Sequence, residues 1–350
     1  MTAIWFAANH GDLGGGEVMT LNLAEAARDL GYAVGIVAPG VPNRLVAEAR
    51  ASGFRTVEIH GRTPARYATN LRAWDLLERT GLLWANGLRP ALATAGHRDR
   101  IVHLHQVPRG KQAIAVRAAA LGARAAVVPS EFAASTIPGS VVLPNWTRPW
   151  SEPDFNRRLV NCSDLSPVVL GFLGRLSVLK GVAVLAEALA LLDRQDPGRY
   201  RLLLAGEPTY ATSDDRAEVE TALAPVAHLV SRTGWMAPRD FFKAVDLAVF
   251  PSVIAESFGL VAAEAMSSGC PFVVSNSGAL PEVAGDHPYV SDPDARSLAN
   301  TLEAAVATYS EGLLRGSYNR WVTHYSPSAG RAGLKRLLDG WGWRREPVPD

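Results

Sequence analysis

Two glutamates eight residues apart, Glu256 and Glu264, lie in the run Pro251-Ser-Val-Ile-Ala-Glu-Ser-Phe-Gly-Leu-Val-Ala-Ala-Glu-Ala-Met-Ser-Ser-Gly269. The run follows the apolar stretch LAVF, passes through a loop at Glu256–Phe258 and enters a helix near Gly259. A helix N-terminus there presents N–H groups and a positive dipole end, which suits a phosphate or a polarised sugar hydroxyl. Glycine at that point lets a ligand approach the backbone closely. Glu256, in the loop, can accept hydrogen bonds from sugar hydroxyls. Glu264, about two helical turns further on, can accept both hydroxyls of a ribose. Two glutamates at this spacing are by themselves ordinarily structural; the residues around them make the pattern specific.

A second group is Phe172-Leu-Gly-Arg-Leu-Ser-Val-Leu-Lys-Gly181. Arg175 and Lys180 leave the tip of an expected strand on a short loop, where two fixed cations can neutralise a diphosphate and stabilise it as it departs. A third is Gly11-Asp-Leu-Gly14-Gly15-Gly16-Glu17, between the first expected strand and the first helix. A glycine cluster at such a turn admits a phosphate close to the backbone, although a plain tight turn uses the same residues. The dinucleotide fingerprint G-x-G-x-x-G is absent, and the second strand ends in Ile36-Val-Ala-Pro39 without an acidic residue for a ribose, which disfavours a dehydrogenase. His105 closes Ile101-Val-His-Leu-His105 at a strand tip. His103 alternates with it and so points to the same face, one step deeper. The H-x-H spacing lacks a nearby third ligand, so no metal is assigned.

These groups need parallel strands to bring them to one edge. Short apolar runs alternate with amphipathic stretches along the whole chain, the pattern of βα units around parallel sheets. Strands are expected at Ile4–Ala8, Ala33–Ala38, Thr56–Ile59, Leu82–Ala85, Ile101–Leu104, Ala125–Val128 and Val141–Leu143, then at Val168–Leu173, Arg201–Ala205, His228–Arg232, Leu247–Phe250 and Pro271–Ser275. The fold class is α/β with two Rossmann-like, doubly wound lobes facing a cleft, where ligands meet the C-terminal ends of the strands. Residues 1–150 form the first lobe, the proline-rich stretch 151–167 a linker, 168–315 the second lobe, and 316–350 a helical segment returning toward the first.

The 350 residues leave room for two domains. Nearly half are hydrophobic and a fifth charged, and no run of apolar residues is long enough to span a membrane. The first residues lack the basic start and apolar core of a signal peptide, and two cysteines, Cys162 and Cys270, make no disulfide framework, so a cytoplasmic protein is expected. Residues 1–150 carry 16 basic against 10 acidic residues, whereas 151–350 carry 19 against 24. A basic first half can greet an anionic acceptor or a membrane surface, or it can be a solvated set of arginines; nothing points to nucleic acid. Asp292-Pro-Asp294 looks like a metal-binding D-x-D but reads as a turn and helix cap.

Taken together, the residues resemble the retaining glycosyltransferase family 4, which has the GT-B fold. The likeness covers nearly the whole chain: the Gly15-Gly16 turn, the histidine after IVHL, VVPS at 127–130, LPN at 143–145, FLGRLSVLKG, LLLAGE at 202–207, TGW at 233–235, and the glutamate run with its trailing SGCPFVVSNSGALPEV. The resemblance implies that Gly15 and Gly16 lie at the donor diphosphate and that Arg175 and Lys180 bind it and stabilise it as it leaves. It implies that Glu256 meets the donor sugar beside the N–H groups of Phe258, Gly259 and Leu260. Glu264 would take the ribose hydroxyls, backbone at Met236 would hold the base, and His105 would lie near sugar and acceptor. It further implies front-face attack with the leaving phosphate drawing the acceptor's proton, no protein nucleophile, no cofactor and no divalent metal. The partners are then a nucleotide-sugar donor, UDP-hexose being commonest in the family, and a hydroxyl acceptor. That acceptor is expected to be small and soluble; the alternative is a lipid-linked or polysaccharide acceptor met by peripheral membrane contact. A non-catalytic nucleotide-sugar-binding subunit would have favoured loss of Arg175, Lys180 or Glu256, and all are present. One departure stands out: the family has Asn-Gly where this chain has Asn145-Trp146, so a different turn into the linker is expected.

Overall fold

A computed structural model describes residues 3–61, 63–150, 152–153, 155, 167–208 and 212–343. Most of the expected linker, and Cys162 with it, lies outside the described residues. The chain divides into two compact units, Met1–Trp146 with Pro327–Asp350, and Thr147–Ser326.

The first unit is built on seven parallel strands: β1 (Ala3–Ala8), β2 (Ala33–Pro39), β3 (Arg55–Ile59), β4 (Leu82–Asn86), β5 (Arg100–His103), β6 (Ala125–Val128) and β7 (Val141–Val142). Their order is β3-β2-β1-β4-β5-β6-β7. The second unit has six: β8 (Val168–Leu173), β9 (Tyr200–Ala205), β10 (Val230–Gly234), β11 (Leu247–Phe250), β12 (Phe272–Ser275) and β13 (Val290–Ser291), in the order β10-β9-β8-β11-β12-β13. Both sheets are doubly wound, and each reverses its winding at one place, between β1 and β4 and between β8 and β11. Crossover helices leave such a switch point in opposite directions, which opens space at the C-terminal ends of the two central strands.

Period-2 alternation explains the layers. In β8, Val168, Leu170 and Phe172 join one buried cluster, while Val169 and Leu173 pack against the cluster on the opposite face. The expected strand at 228–232 begins two residues later, because Ala224–Leu229, with Pro225 in its first turn, forms a 3-10 segment instead. The two-residue β13 carries too few residues for a periodic signal and was not expected.

The expected C-terminal segment from 316 divides between the units. Helix Glu311–Arg320 and the π turn Trp321–Tyr325 stay with the second unit, since Trp321 and Tyr325 are buried in its core and Tyr325 packs edge-on to Phe258 at 5.3 Å. Helix Pro327–Gly340 packs on helix Gly15–Asp29 of the first unit, where Arg331 pairs with Asp29 at 2.5 Å. Trp146 explains the missing glycine in the expected Asn-Gly turn. It is not among the described residues with positive φ; it is buried, and its carbonyl accepts from Asn22 Nδ2 at 2.9 Å. Its ring lies so close to Gly330 that a Cβ there would sit 2.1 Å from Cδ2. Gly330→Ala is therefore expected to destabilise the protein by about 1–3 kcal/mol through overpacking. Gly316→Ala, where an added Cβ meets nothing within 4 Å, should be neutral or stabilising; calorimetric melting of the two variants checks the contrast.

Candidate functional site

In the second unit the candidate residues flank the switch between β8 and β11. Ser177, just past β8, caps the turn Val178–Lys180 by accepting from the Lys180 N–H. Gly181 then adopts φ +78°, and a Cβ on it would sit 1.8 Å from the Pro251 carbonyl oxygen. Only glycine lets the two loops meet this closely. The contact is sealed by the N–H groups of Val253 and Ile254, which both donate to the Leu179 carbonyl at 3.1 Å. Lys180 and Glu256, distant in sequence, are thereby joined: Nζ donates to Oε1 at 2.5 Å, and Ser252 Oγ donates to the same oxygen at 2.5 Å. Arg175 is exposed beside this loop, where β8 ends.

The backbone of Glu256 is gripped from behind. It forms a parallel bridge with Gly278, the Ala279 N–H donates to its carbonyl at 2.8 Å, and a Cβ on Gly278 would sit 2.3 Å from Glu256 N and O. Gly278 and Ala279 of the trailing Ser-Gly-Ala-Leu thus help to place the glutamate. Gly259, at φ +99°, is the N-cap of helix Leu260–Ser267, whose first-turn N–H groups have no intrahelical acceptor. Phe258 is buried, Gly259 and Leu260 are half-buried, and Met236, after β10, is half-buried against the core of this unit.

Glu264, on that helix, has its carboxyl pushed up to about 7 by burial, partly opposed by a side-chain hydrogen bond with Trp150. The Trp150 indole can only donate, so Glu264 is the acceptor. Trp150 and Ser252 escaped sequence reading; nothing in their spacing distinguishes them, and only the fold brings them to the two glutamates.

In the first unit the residues flank the switch between β1 and β4. Gly15 is exposed and Gly16 half-buried in the first turn of helix Gly15–Asp29. The approach is tight on the preceding loop, where a Cβ on Gly11 would meet the Pro42 carbonyl oxygen at 1.8 Å. Glu17 is buried, accepts from the His10 N–H at 3.1 Å, and is held above the usual carboxylate range chiefly by burial. His105 is half-buried, and its Cδ2 lies 3.6 Å from where a Cβ on Gly16 would stand. Burial pushes His105 down to about 4. His103 is fully buried, packs at a tilt against His105 with ring centroids 4.1 Å apart, and is held well below its ordinary value by burial and then by His105. His103 Nδ1 accepts from Trp84 Nε1 at 3.2 Å, and the ring lies wholly in the core. Among the described residues no group of three or more His, Cys, Asp or Glu is arranged to hold a metal, and Asp294 caps helix Ala295–Thr308 by accepting from Arg296 and Ser297 N–H. Asn86, at the end of β4, also went unread: it bonds Gly16, Thr20 and His105. A polar residue closing the apolar strand LLWAN was the available signal.

Residues 167–308 match the family model described as glycosyl transferases group 1. That segment contains Arg175, Lys180, Met236, Glu256 and Glu264. A D-inositol 3-phosphate glycosyltransferase of Nocardia farcinica is 35% identical over 125 residues, covering 34% of this chain and 27% of the relative. An uncharacterised glycosyltransferase of Methanocaldococcus jannaschii is 33% identical over 201 residues, covering 56% of this chain and 42% of the relative. The matched stretches thus span less than half the length of these curated relatives. Among solved structures, Anabaena HepE in complex with UDP-glucose superposes with a TM-score of 0.81 at 19% identity, covering 97% of this chain and all of that one. Sucrose-phosphate synthase from Thermosynechococcus elongatus gives 0.79 at 19% identity, over 97% of this chain and 99% of that one. The chain has the GT-B fold. Among the described residues no helix is long and apolar enough to cross a membrane.

The raised Glu264 carboxyl carries a sign. The folded state keeps this proton at pH values where the unfolded chain, near 4.5, has lost it, so stability from this group falls as pH rises from about 4.5 to about 7. Glu264→Gln is expected to be close to wild type in urea unfolding near pH 4.5 and more stable than wild type at pH 8.

Proposed function

We propose that the protein is a glycosyltransferase that moves a hexose-type sugar from a nucleotide-sugar donor, UDP-linked, to a hydroxyl of a small soluble acceptor, with retention at the anomeric carbon. The observation that carries this reading is the Lys180–Glu256 pair, 2.5 Å apart at the β8/β11 switch, beside the N-terminus of helix Leu260–Ser267. It lies inside the segment that matches glycosyl transferases group 1. The fold is shared with HepE solved with UDP-glucose, and the relatives' names, inositol phosphate and sucrose phosphate, favour a small polar acceptor.

In this reading the diphosphate sits by Arg175 and Lys180, which neutralise the charge that grows as the bond to the sugar breaks. Lys180 is held ready by Glu256 until the donor arrives. Glu256 and the N–H groups of Phe258, Gly259 and Leu260 hold sugar and phosphate oxygens, Glu264 the ribose, and backbone at Met236 the base. Gly15 and Gly16 leave room for phosphate, and His105 meets a hydroxyl. The two cations supply the neutralisation that a divalent metal gives elsewhere, so turnover in this reading needs none. The leaving phosphate takes the acceptor's proton as the acceptor oxygen attacks the same face. A second reading, a lipid-linked acceptor at a membrane surface, is favoured by one observation: Arg109, Lys111, Arg117 and Ile114 are all exposed on or just before helix Gln112–Ala120.

Three measurements test the proposal. Thermal melting with UDP, GDP, ADP, dTDP or NAD⁺ should show stabilisation by a nucleoside diphosphate, undiminished by EDTA; stabilisation by NAD⁺ alone would sink the donor assignment. Glu256→Ala and Lys180→Ala should each lower kcat by about 10²-fold or more, if each removes about 3 kcal/mol of transition-state stabilisation, while Glu264→Ala mainly weakens donor binding. Near wild-type turnover in all three variants means the site lies elsewhere, and an inverted anomeric signal in the product's NMR spectrum refutes retention.

A further inference from the structure

Asn9 follows β1 and Arg89 follows β4, so both stand at the winding reversal of the first unit. The two residues are stapled together. Asn9 Oδ1 accepts from the Arg89 backbone N–H at 3.0 Å, and Arg89 Nη1 donates to the Asn9 carbonyl at 3.1 Å. Gly87 makes the approach possible: at φ +114°, a Cβ on it would sit 2.7 Å from Asn9 Cβ. Arg89 is thus half-buried with one arm of its guanidinium pinned, at the strand ends where an open parallel sheet takes its ligand.

The charge at this place is not answered by the protein. Among the described residues no carboxylate pairs with Arg89, and the Asn9 carbonyl is the one acceptor its side chain meets. The nearest titratable groups are neutral or turned elsewhere. The Tyr67 hydroxyl is held above its usual range by burial, against the pull of Arg89, and donates to the Ala8 carbonyl at 2.7 Å. His10 is pushed down by burial and then by Arg89, with Asp12 opposing. The Glu17 carboxylate accepts from the His10 N–H. A neutral glutamine could donate the same bond to Asn9, so the staple by itself does not call for a cation. Holding a cation out of water without a counter-ion is costly, and the remaining N–H fork of a guanidinium matches a carboxylate or a phosphate.

We propose that Arg89 sets acceptor specificity: it receives an anionic group, a phosphate or a carboxylate, on the molecule whose hydroxyl takes the sugar. The inference rests on the transferase reading above and names the class of acceptor, a small hydroxyl compound bearing an oxyanion. In that reading the donor's own diphosphate is already met by Arg175 and Lys180, so a further cation serves a further anion.

The test uses the full chain saturated with UDP and titrated calorimetrically with glucose, glucose 6-phosphate, glucuronate and inorganic phosphate. At least one of the two sugar acids should bind about 10–100-fold tighter than glucose, and which of them does so separates a phosphate from a carboxylate. Arg89→Gln should bring that acid down to the level of glucose, while Arg89→Lys keeps part of the advantage. Arg98→Gln removes the same charge from the opposite end of the sheet, before β5, and should leave the advantage whole. Wild-type protein that favours no acid over glucose and binds no phosphate overturns the inference without any variant. So does an advantage that survives Arg89→Gln or is lost equally in Arg98→Gln. Loss of the UDP melting shift in both Arg89 variants assigns the residue to the donor instead and overturns the inference too. Equal transfer from UDP-glucose to glucose and to its acids defeats the Arg89 assignment and leaves the transferase reading standing. Arg89-dependent binding of an acid in a protein that turns over no nucleotide sugar defeats the transferase reading and leaves the anion site.

Discussion

Two charges 76 residues apart in sequence, Lys180 and Glu256, meet at 2.5 Å, and much of the second unit is arranged so that they can. Each sits on a loop leaving one of the two strands at the winding reversal, the place in an open parallel sheet with room for a ligand. Gly181 removes the side chain that would hold its loop away from Pro251, and Gly278 does the same behind Glu256. Ser252 adds a second donor to the shared carboxylate oxygen, and its own carbonyl is held by Ser275 Oγ at 2.6 Å. The pair is half-buried, so it is screened less than a surface pair and keeps its geometry better.

Around its glycine turn the first unit meets the same geometric problem with neutral groups. At its own reversal Asn86 bridges the glycine turn and His105 through hydrogen bonds, and both histidines are held uncharged by burial. The division follows the chemistry of the proposed transfer. A departing diphosphate concentrates negative charge and calls for fixed cations, whereas recognising hydroxyls calls for directional donors and acceptors whose charge does not change with the reaction.

The comparisons divide along the same line. The family match covers 167–308, the part that carries the cations and the two glutamates, and stops short of the first unit. The structural likeness, by contrast, runs over 97% of the chain at 19% identity.

The sequence by itself determined the two-sheet architecture. Seven expected strands in the first unit and five in the second correspond to those observed, since alternating burial on a parallel sheet writes itself into residue order. It also marked Arg175, Lys180, Glu256, Glu264, Gly16 and His105 as chemically apt. Tertiary structure decided the rest. That Lys180 pairs with Glu256, that Trp150 bonds Glu264, that Asn86 holds His105, and that Trp146 seats on Gly330 are contacts between separate elements of the chain. It decided too that the last helix belongs to the first unit while the π turn before it belongs to the second. Periodicity reports which face of an element is buried, but a single side chain's partner depends on how the elements pack, and that is a property of the folded whole.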